Sequence, residues 1–297
     1  MRRSATILVG LVAGAMALSG CGSDSLNKPS SQGGKVGATV DKDAAALVPK
    51  AISGPGVLRV GTDASYAPSE FLAGDGKTVQ GFDVDLFNAV AATLGLKAEY
   101  VPSKFDSIIT GVQGKKYDVG VSSFTVNADR MKQVNMISYY NAGTQWATAA
   151  GNPKKVDLEN PCGLTVAVQK GTVQQEEDLP AKVDACKKAG KPTRVLVYEG
   201  QDQATAAVVS GKADAMLADS PVVAYAVKQS KDKLEALGDI YDAAPYGYVV
   251  AQDDTDLAKA ILAALKSLES SGGYEKALKG WGVEDGAIND FAVNPTS

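Results

Sequence analysis

The stretch FDSIITGVQGKKYDVGVSSFTVNADR, residues 105–130, decides the class of fold. Its first part, FDSIITGVQGKK, is typical of a helix, and YDVGVS is typical of a short apolar strand. Three hydroxyl side chains and an arginine follow where the strand should end: Ser122, Ser123, Thr125 and Arg130. A helix that leads into a strand with polar residues at its end is the repeating unit of an α/β sheet.

The same alternation continues towards the N-terminus. VLRVGTD (57–63) predicts a strand, FDVDLFNAVAATLGL (82–96) predicts a helix that stops at Gly95, and KAEYV (97–101) predicts another strand. Together with residues 105–130, these segments form one unit of about 100 residues, which is an ordinary domain size.

A second unit with the same alternation follows. Its segments are LTVAVQKG (164–171), TVQQEEDLPAKVDACKKAG (172–190), TRVLVYE (193–199), QDQATAAVVSGK (201–212), ADAMLAD (213–219) and SPVVAYAVKQS (220–230). YYNAGTQWATAAGN (139–152) lacks helical periodicity and predicts an extended crossover between the units. YGYVVAQDD (246–254) predicts a second extended segment before two final helices. The pattern therefore predicts βα units on a largely parallel sheet.

The N-terminus predicts export. Arg2 and Arg3 precede a fourteen-residue apolar run, residues 5–18, which is a signal sequence in length and too short to span a membrane. LSGC (18–21) resembles the bacterial lipobox, so we expect residues 1–20 to be a signal peptide and Cys21 to carry lipid. The alternative is an ordinary signal peptide with a chance cysteine. Residues 21–55 are rich in Gly, Ser, Pro, Asp and Lys, which predicts a flexible tether.

Composition excludes several classes of protein. Removal of residues 1–20 leaves 28 basic and 34 acidic residues, a net charge of −6, so we expect no nucleic-acid partner. The chain has no histidine, which excludes Ser-His-Asp catalysis, Cys-His catalysis and histidine-based zinc sites. We expect no metal and no cofactor. Cys162 and Cys186 remain as an even pair in an exported chain, where a disulfide is expected and two buried free thiols are the alternative.

Ligands of such sheets bind at the carboxyl ends of the strands. Four polar stretches occupy these positions: TDASY (62–66), SSFT (122–125), QKGTV (169–173) and ADS (218–220).

Seven segments together resemble bacterial solute-binding proteins of family 3, the receptors of polar amino acid ABC importers. The segments are LRVGTDASYAPSEF, GFDVDLFNAVAATLG, FDSIITGV, KYDVGVSSFTVNADR, VAVQKGTV, GKADAMLADS and GGYEKALKGWG, and they span about residues 56–290. The resemblance implies a two-lobed periplasmic-binding-protein fold of type II, with two crossover strands as the hinge and the ligand in the cleft between the lobes. It places lobe 1 at residues 56–145 plus 247–297 and lobe 2 at residues 146–246.

The resemblance also assigns roles to individual residues. Arg130 matches the arginine that pairs with the ligand α-carboxylate, and Asp219 matches the carboxylate that takes the α-ammonium. The remaining ligand-binding positions are Ser122, Ser123 and Thr125 in the hydroxyl loop, Gly171, Thr172 and Val173 in the second-lobe loop, and Asp63, Tyr66, Phe105 and Gln169 near the ligand side chain.

The chemistry of these residue types supports the assignment. A buried carboxylate needs a planar bidentate donor and further N–H or O–H groups, which Arg130 and the loop at 122–125 can supply. An ammonium needs acceptors and charge, which Asp219 can supply. Because Arg130 and Asp219 belong to different lobes, a zwitterion would link the lobes and favour closure.

Each residue also has an ordinary structural explanation. Arg130 could be a solvated helix residue, the hydroxyls could cap a turn, and Asp219 could cap a helix. Asp63 could likewise cap the next turn. Tyr66 and Phe105 could be core aromatics.

Asp63 beside two aromatic rings predicts a cage for a cationic side chain, which favours arginine, lysine or ornithine. Gln169 could engage Asp63, and glutamine would then suit the site. Ser69 replaces an aromatic residue that is frequent in the family, which would reduce apolar bulk at the cleft entrance. Glu70 would add acidity there.

The sequence thus predicts a monomeric, lipid-anchored receptor on the outer face of the cell membrane that delivers a polar, basic amino acid to an ABC permease, and not an enzyme. One alternative is a cyclohexadienyl-dehydratase-like enzyme on the same fold, with Asp63, Glu70 or Lys170 as acid or base. Another is a ligand-sensing receptor domain.

Overall fold

The computed structural model describes residues 36–296. The predicted signal peptide and the predicted lipidation of Cys21 lie outside the described residues. Within the described range, no helix is both long enough and apolar enough to cross a membrane.

The described part of the chain alternates strands and helices as the sequence predicts. The helices are α1 (Lys42–Ala46), α2 (Lys50–Ser53), α3 (Phe82–Thr93), α4 (Phe105–Gln113), α5 (Ala128–Met131), α6 (Leu179–Lys188), α7 (Gln201–Val209), α8 (Ser220–Gln229), α9 (Thr255–Ser270) and α10 (Gly273–Lys279). The strands are β1 (Val57–Thr62), β2 (Ser65–Tyr66), β3 (Glu70–Leu72), β4 (Val79–Gln80), β5 (Lys97–Pro102), β6 (Val119–Thr125), β7 (Val134–Ala149), β8 (Thr165–Gln169), β9 (Arg194–Tyr198), β10 (Ala215–Asp219) and β11 (Leu234–Ala251). A π-helical turn, Gln174–Asp178, leads into α6.

The main sheet has the strand order β5-β1-β6-β11-β7-β10-β8-β9. Lobe 1 contains the parallel strands β5, β1 and β6, and lobe 2 contains the parallel strands β10, β8 and β9. The long strands β7 and β11 pair antiparallel with each other and run through both lobes. The fold is therefore the predicted two-lobed α/β fold with two crossover strands.

The crossover strands change register between the lobes. The pairing of β11 with β7 shifts between Leu237 and Tyr241, between Tyr241 and Ala244, and between Tyr246 and Gly247. Such irregularities weaken the ladder locally and allow it to bend. The predicted lobe boundaries, after residues 145 and 246, fall inside β7 and β11 and remain a prediction.

The first half of β11 is missing from the sequence-based prediction. Residues 234–245 pair only with β7, because β6, which flanks β11 in lobe 1, does not continue into lobe 2. This half of the strand is largely exposed and carries acidic residues and Pro245, which suits an edge strand. Its composition therefore lacks the apolar alternation by which strands are found in a sequence.

The prediction of a tether as far as residue 55 is wrong for its last part. α1 and α2 lie within it, Asp41 caps α1 with its side chain, and the Asp41 N–H donates to the Thr93 carbonyl at the end of α3 (2.9 Å). Ala44 and Val48 are buried in the core that α3, α9 and α10 form on lobe 1. Two apolar side chains in a polar stretch are too weak a signal to identify this segment as part of the folded body.

The expected disulfide is present. It joins Cys162, before β8, to the buried Cys186 of α6, and so links one strand and its following helix within lobe 2.

We predict that the double variant Cys162→Ser/Cys186→Ser unfolds about 2 to 4 kcal/mol more easily, because the bridge closes a loop with a sequence separation of 24 in the unfolded chain. Urea unfolding monitored by circular dichroism measures this loss. Ligand stoichiometry should stay unchanged, because neither cysteine is among the predicted ligand-binding residues. Equal unfolding free energies for both proteins would contradict the prediction.

Candidate functional site

A small cavity lies between the lobes, at the carboxyl ends of the strands. Its volume is about 10 Å³, and its lining residues are Tyr66, Phe105, Ser123, Thr125, Arg130, Thr172, Val173, Gln174 and Asp219. Eight of these nine are among the residues singled out in the sequence. They lie at the carboxyl ends of β6 and β10 or in the segments that follow β1, β5, β6 and β8, as expected for an α/β sheet.

Arg130 is buried, with 7% of its surface exposed, and belongs to the short helix α5, where Asn127 caps the first turn. Its Nη1 donates to the Thr125 carbonyl (2.8 Å), and its Nη2 donates to the Gly171 carbonyl of lobe 2 (3.0 Å). The guanidinium carbon lies 5.5 Å from the centre of the Phe105 ring. Arg130 is therefore a cleft residue and not a solvated helix arginine.

The charge of Arg130 has no direct counter-ion within residues 36–296. None of the salt bridges of this range includes Arg130; the acidic residues that act on it, Glu176 foremost, do so at longer range. Burial lowers the pKa of the guanidinium. A buried cation is costly unless it is paired and hydrogen-bonded, so the site favours an anion beside Arg130.

The hydroxyl loop at the end of β6 is divided between two faces. Ser123 and Thr125 line the cavity. The Ser122 hydroxyl accepts from the Asp63 N–H (3.0 Å) and the Ser123 hydroxyl lies 3.3 Å from Asp83 Oδ2, so both hydroxyls point to the interior. Ser123 has a φ of 50°, a left-handed conformation that is unusual for a residue other than glycine. The Asp83 side chain accepts a hydrogen bond from the Ser123 N–H (3.2 Å). The loop is therefore held from behind by buried carboxylates.

Asp219 faces Arg130 from the other lobe. Its carboxylate accepts from Gln174 Nε2 (2.7 Å) and from the Tyr246 hydroxyl (2.7 Å), and its N–H donates to the Tyr66 hydroxyl (3.2 Å). The side chain forms no capping bond to α8 although it occupies the N-cap position, so the capping explanation is wrong. Burial raises the pKa of Asp219, and the hydrogen bonds from Tyr246, Tyr66 and Gln174 oppose that rise.

Two residues of this arrangement are absent from the sequence-based set. Gln174 directly follows Val173, a predicted ligand-binding residue, and a polar side chain at this position could have indicated a part in the site. Tyr246 is the first residue of YGYVVAQDD, which the sequence predicts as an extended segment and not as part of the site. Its hydroxyl reaches Asp219 only because β11 crosses between the lobes.

Asp63 lies behind the cavity and is already hydrogen-bonded. Its Oδ1 accepts from the N–H (3.0 Å) and the hydroxyl (2.5 Å) of Ser65, and its Oδ2 accepts from the Phe105 N–H (3.0 Å) and from Gln169 Nε2 (3.0 Å). Burial raises the pKa of Asp63 despite these donors. Asp63 thus caps the following turn, which is the structural alternative given in the sequence analysis. Gln169 of lobe 2 donates to Oδ2, the oxygen that a cationic ligand side chain would need.

The lobes touch at the rim as well. Gly171 packs so closely that an added Cβ would lie 3.0 Å from the Cβ of Asp106, and Lys170 forms a salt bridge with Asp106 (2.8 Å). Lys104 pairs with Glu199 across the cleft (3.0 Å). Lys170 is half exposed and bound at this rim, which places it outside the cavity.

The prediction that Ser69 and Glu70 lie at the cleft entrance is wrong. Both residues are fully buried, and Glu70 lies under the hydroxyl loop instead of at the cleft entrance. An acidic residue next to a predicted loop is normally exposed, so the sequence gives no sign of this burial.

The arrangement combines a cation and a carboxylate on opposite lobes with hydroxyl and amide donors between them. Such a site can hold a small zwitterion by both of its charges. The two-lobed fold with a ligand cleft between the lobes defines the class: a binding protein of the periplasmic type.

Residues 58–284 match the family model for bacterial extracellular solute-binding proteins, family 3, and the chain belongs to that family. It is 38% identical over 250 residues to the arginine-binding protein ArgT of Corynebacterium glutamicum, an alignment that covers 84% of this chain and 82% of the relative. The relatives named by these comparisons, ArgT among them, are binding proteins and not enzymes.

Two solved structures share the fold. An ancestral arginine-binding protein bound to arginine is 32% identical, with a TM-score of 0.70, and the match covers 76% of this chain and 98% of that protein. The ancestral amino acid-binding protein AncCDT-1, described as a precursor of cyclohexadienyl dehydratase, is 34% identical, with a TM-score of 0.68, and the match covers 80% of this chain and 99% of that protein.

Proposed function

We propose that this protein captures an α-amino acid outside the cytoplasmic membrane and delivers it to an ABC permease. The observation that carries the proposal is the placement of the buried Arg130 and the buried Asp219 on opposite walls of one cavity. Arg130 binds the α-carboxylate with Thr125 and Thr172, beside the loop that Ser123 shapes, and Asp219 binds the α-ammonium. The resemblance of LSGC (18–21) to a lipobox supports a lipid anchor on Cys21, on the outer face of the membrane.

Capture requires the lobes to move. A cavity of about 10 Å³ has room for about one water molecule, so an amino acid enters only when Arg130 releases the Gly171 carbonyl and the lobes separate. The register shifts in β7 and β11 supply the hinge. A bound zwitterion then joins the two lobes, and its higher affinity for the joined form drives closure.

The preferred ligand is a basic amino acid: arginine, lysine or ornithine. Tyr66 and Phe105 line the cavity in front of Asp63, and a cationic side chain can replace Gln169 on Asp63 Oδ2. The arginine-binding relatives support this preference. Glutamine is the alternative, because a neutral amide leaves the Asp63–Gln169 bond intact.

Asp63→Asn tests the cage. We expect it to weaken arginine binding about 10-fold to 150-fold, because a hydrogen bond to a charged group contributes about 1.5 to 3 kcal/mol. Glutamine binding, where present, should change less than threefold. Calorimetric titration of both amino acids measures the difference, and an equal loss for both would remove Asp63 from the side-chain site.

A dehydratase-like enzyme is the second candidate, favoured by the likeness to AncCDT-1. Of its possible acids and bases, Lys170 lies at the rim and Glu70 lies beneath the loop, which leaves Asp63. Product formation from a cyclohexadienyl substrate, lost in Asp63→Asn, would support this candidate over transport.

A further inference from the structure

Two buried carboxyl groups, Glu70 of β3 and Asp83 of α3, lie together beneath the hydroxyl loop, and both are fully buried. The Ser122 hydroxyl donates to Glu70 Oε1 (3.3 Å), and the Ser123 hydroxyl lies 3.4 Å from Glu70 Oε2. Neither carboxyl forms a salt bridge within residues 36–296. The proposed function uses neither of them as a ligand contact.

The hydrogen bonds of Asp83 are uneven. Oδ2 receives the Tyr139 hydroxyl (2.6 Å) together with the N–H and hydroxyl of Ser123 (3.2 and 3.3 Å). Oδ1 is buried and has no donor among the described residues. A buried acceptor without a donor is costly, and a proton on the pair turns one of its oxygens from an acceptor into a donor.

The surroundings favour one proton on the pair. Two carboxylates that share a buried site cannot both ionise easily. Burial and the neighbouring Asp83 raise the pKa of Glu70 well above its usual value, and burial raises the pKa of Asp83 to about 6. The titratable groups that face the pair are Asp63, Tyr66, Tyr100, Tyr139, Tyr140 and Tyr248. All of them are acids, so none supplies a positive charge.

The pair touches the part of the site that has to receive the ligand carboxylate. Ser123 lines the cavity in its left-handed conformation, which costs about 1 kcal/mol or more unless the surroundings hold it. Asp83 stabilises this conformation by accepting a hydrogen bond from the Ser123 N–H. Two ionised carboxylates beneath Ser123 would repel the ligand carboxylate, and one shared proton removes half of that charge.

We propose that Glu70 and Asp83 share one proton and act as positioning residues for the anion-binding loop, so that affinity for the amino acid falls when this proton is lost at alkaline pH. The predicted pH dependence of affinity rests on the proposed function, whereas the shared proton does not.

Glu70→Gln is the main test. The glutamine amide can donate to Asp83 and does not titrate. We expect L-arginine to bind the variant and the wild type within about threefold of each other at pH 6.5. Above the pKa of the pair, wild-type affinity should fall about tenfold per pH unit relative to the variant, because only the protonated fraction is competent. Titration of the ligand itself affects both proteins alike and cancels in the ratio.

Tyr248→Phe is the matched control. Tyr248 is as buried as Glu70 and lies near Asp83, but its hydroxyl has no partner among the described residues. Its pH profile should follow the wild type, which also excludes Tyr248 as the titrating group. Asp83→Asn replaces Glu70→Gln if the latter does not fold, and it should flatten the profile in the same way. Identical profiles from pH 6 to 10 for wild type and Glu70→Gln overturn the proposal.

A ligand-free measurement separates this proposal from the proposed function. In carbon-13 NMR of protein labelled at its Glu and Asp carboxyl carbons, one carboxyl of the pair should stay protonated at pH 7 and its signal should disappear in Glu70→Gln. Two ionised carboxylates at pH 7 contradict the shared proton even if arginine binds. A protonated pair in a protein that does not bind arginine contradicts only the proposed function.

Discussion

Replacing Arg130 by alanine is expected to weaken amino acid binding about 30-fold to several thousand-fold. This corresponds to about 2 to 5 kcal/mol, the range for truncating one partner of a buried, hydrogen-bonded charge pair. The ligand carboxylate would lose its counter-ion in a place that water does not reach. Arg130→Ala also removes the bond to the Gly171 carbonyl, so closure would lose one contact between the lobes.

Isothermal titration calorimetry of both proteins with the same amino acid measures this loss. Arg59→Ala is the control, because Arg59 is a half-exposed surface arginine that pairs with Asp118, outside the cavity. It should bind like the wild type. Arg130→Lys should lie between alanine and wild type, since lysine keeps the charge and loses the planar fork. A loss of less than threefold in Arg130→Ala would remove this residue from the clamp.

Replacing Asp219 by asparagine is expected to weaken binding by a similar amount, about 2 to 5 kcal/mol. The asparagine amide can still form hydrogen bonds with Gln174 and Tyr246, but it has no negative charge to pair with the α-ammonium. Because burial raises the pKa of Asp219, wild-type affinity should also fall at acid pH as this carboxylate takes up a proton. Asp219→Asn should lack that acid loss.

The role of Asp219 can be separated from general damage with a ligand analogue. 5-Guanidinopentanoic acid is arginine without its α-ammonium. Wild type should prefer arginine over this analogue strongly, whereas Asp219→Asn should bind the two within a few-fold of each other. Asp256→Asn, an exposed change on α9, serves as the control. If Asp219→Asn kept the full preference, Asp219 would not be the ammonium partner.

The sequence predicts the cavity well because strand ends dictate it. Once residues 119–125 and 215–219 are taken as strands, Thr125 and Asp219 lie at the carboxyl ends of strands in the two lobes. Both ends meet the middle of the crossover strands, where Thr125 pairs with Tyr246 and Asp219 pairs with Thr144. Six of the nine lining residues lie in the four stretches that follow predicted strands, and the resemblance to the family added Phe105 and Arg130. Residues at or just after the ends of predicted strands can therefore be assigned to the site without knowledge of side-chain packing.

The remaining features depend on distant contacts. Nothing near Glu70 in the sequence signals that it meets Asp83 and Ser123, which are brought to it by α3 and β6. The bond of Tyr246 to Asp219 depends on the path of β11, and the first half of that strand has the composition of an exposed edge. The Gln169 amide on Asp63 likewise needs the lobes to meet. Local pattern fixes elements and their ends, whereas these contacts depend on how the elements are assembled.

The most direct test of the amino acid clamp is a calorimetric titration of the purified protein, freed of co-purified ligand by unfolding and refolding, with each standard amino acid and ornithine. We expect one-to-one binding led by arginine, lysine or ornithine, and strongly reduced in Arg130→Ala. Binding led by glutamine would keep the clamp and overturn the cationic cage at Asp63. If no amino acid bound, the clamp formed by Arg130 and Asp219 would be contradicted.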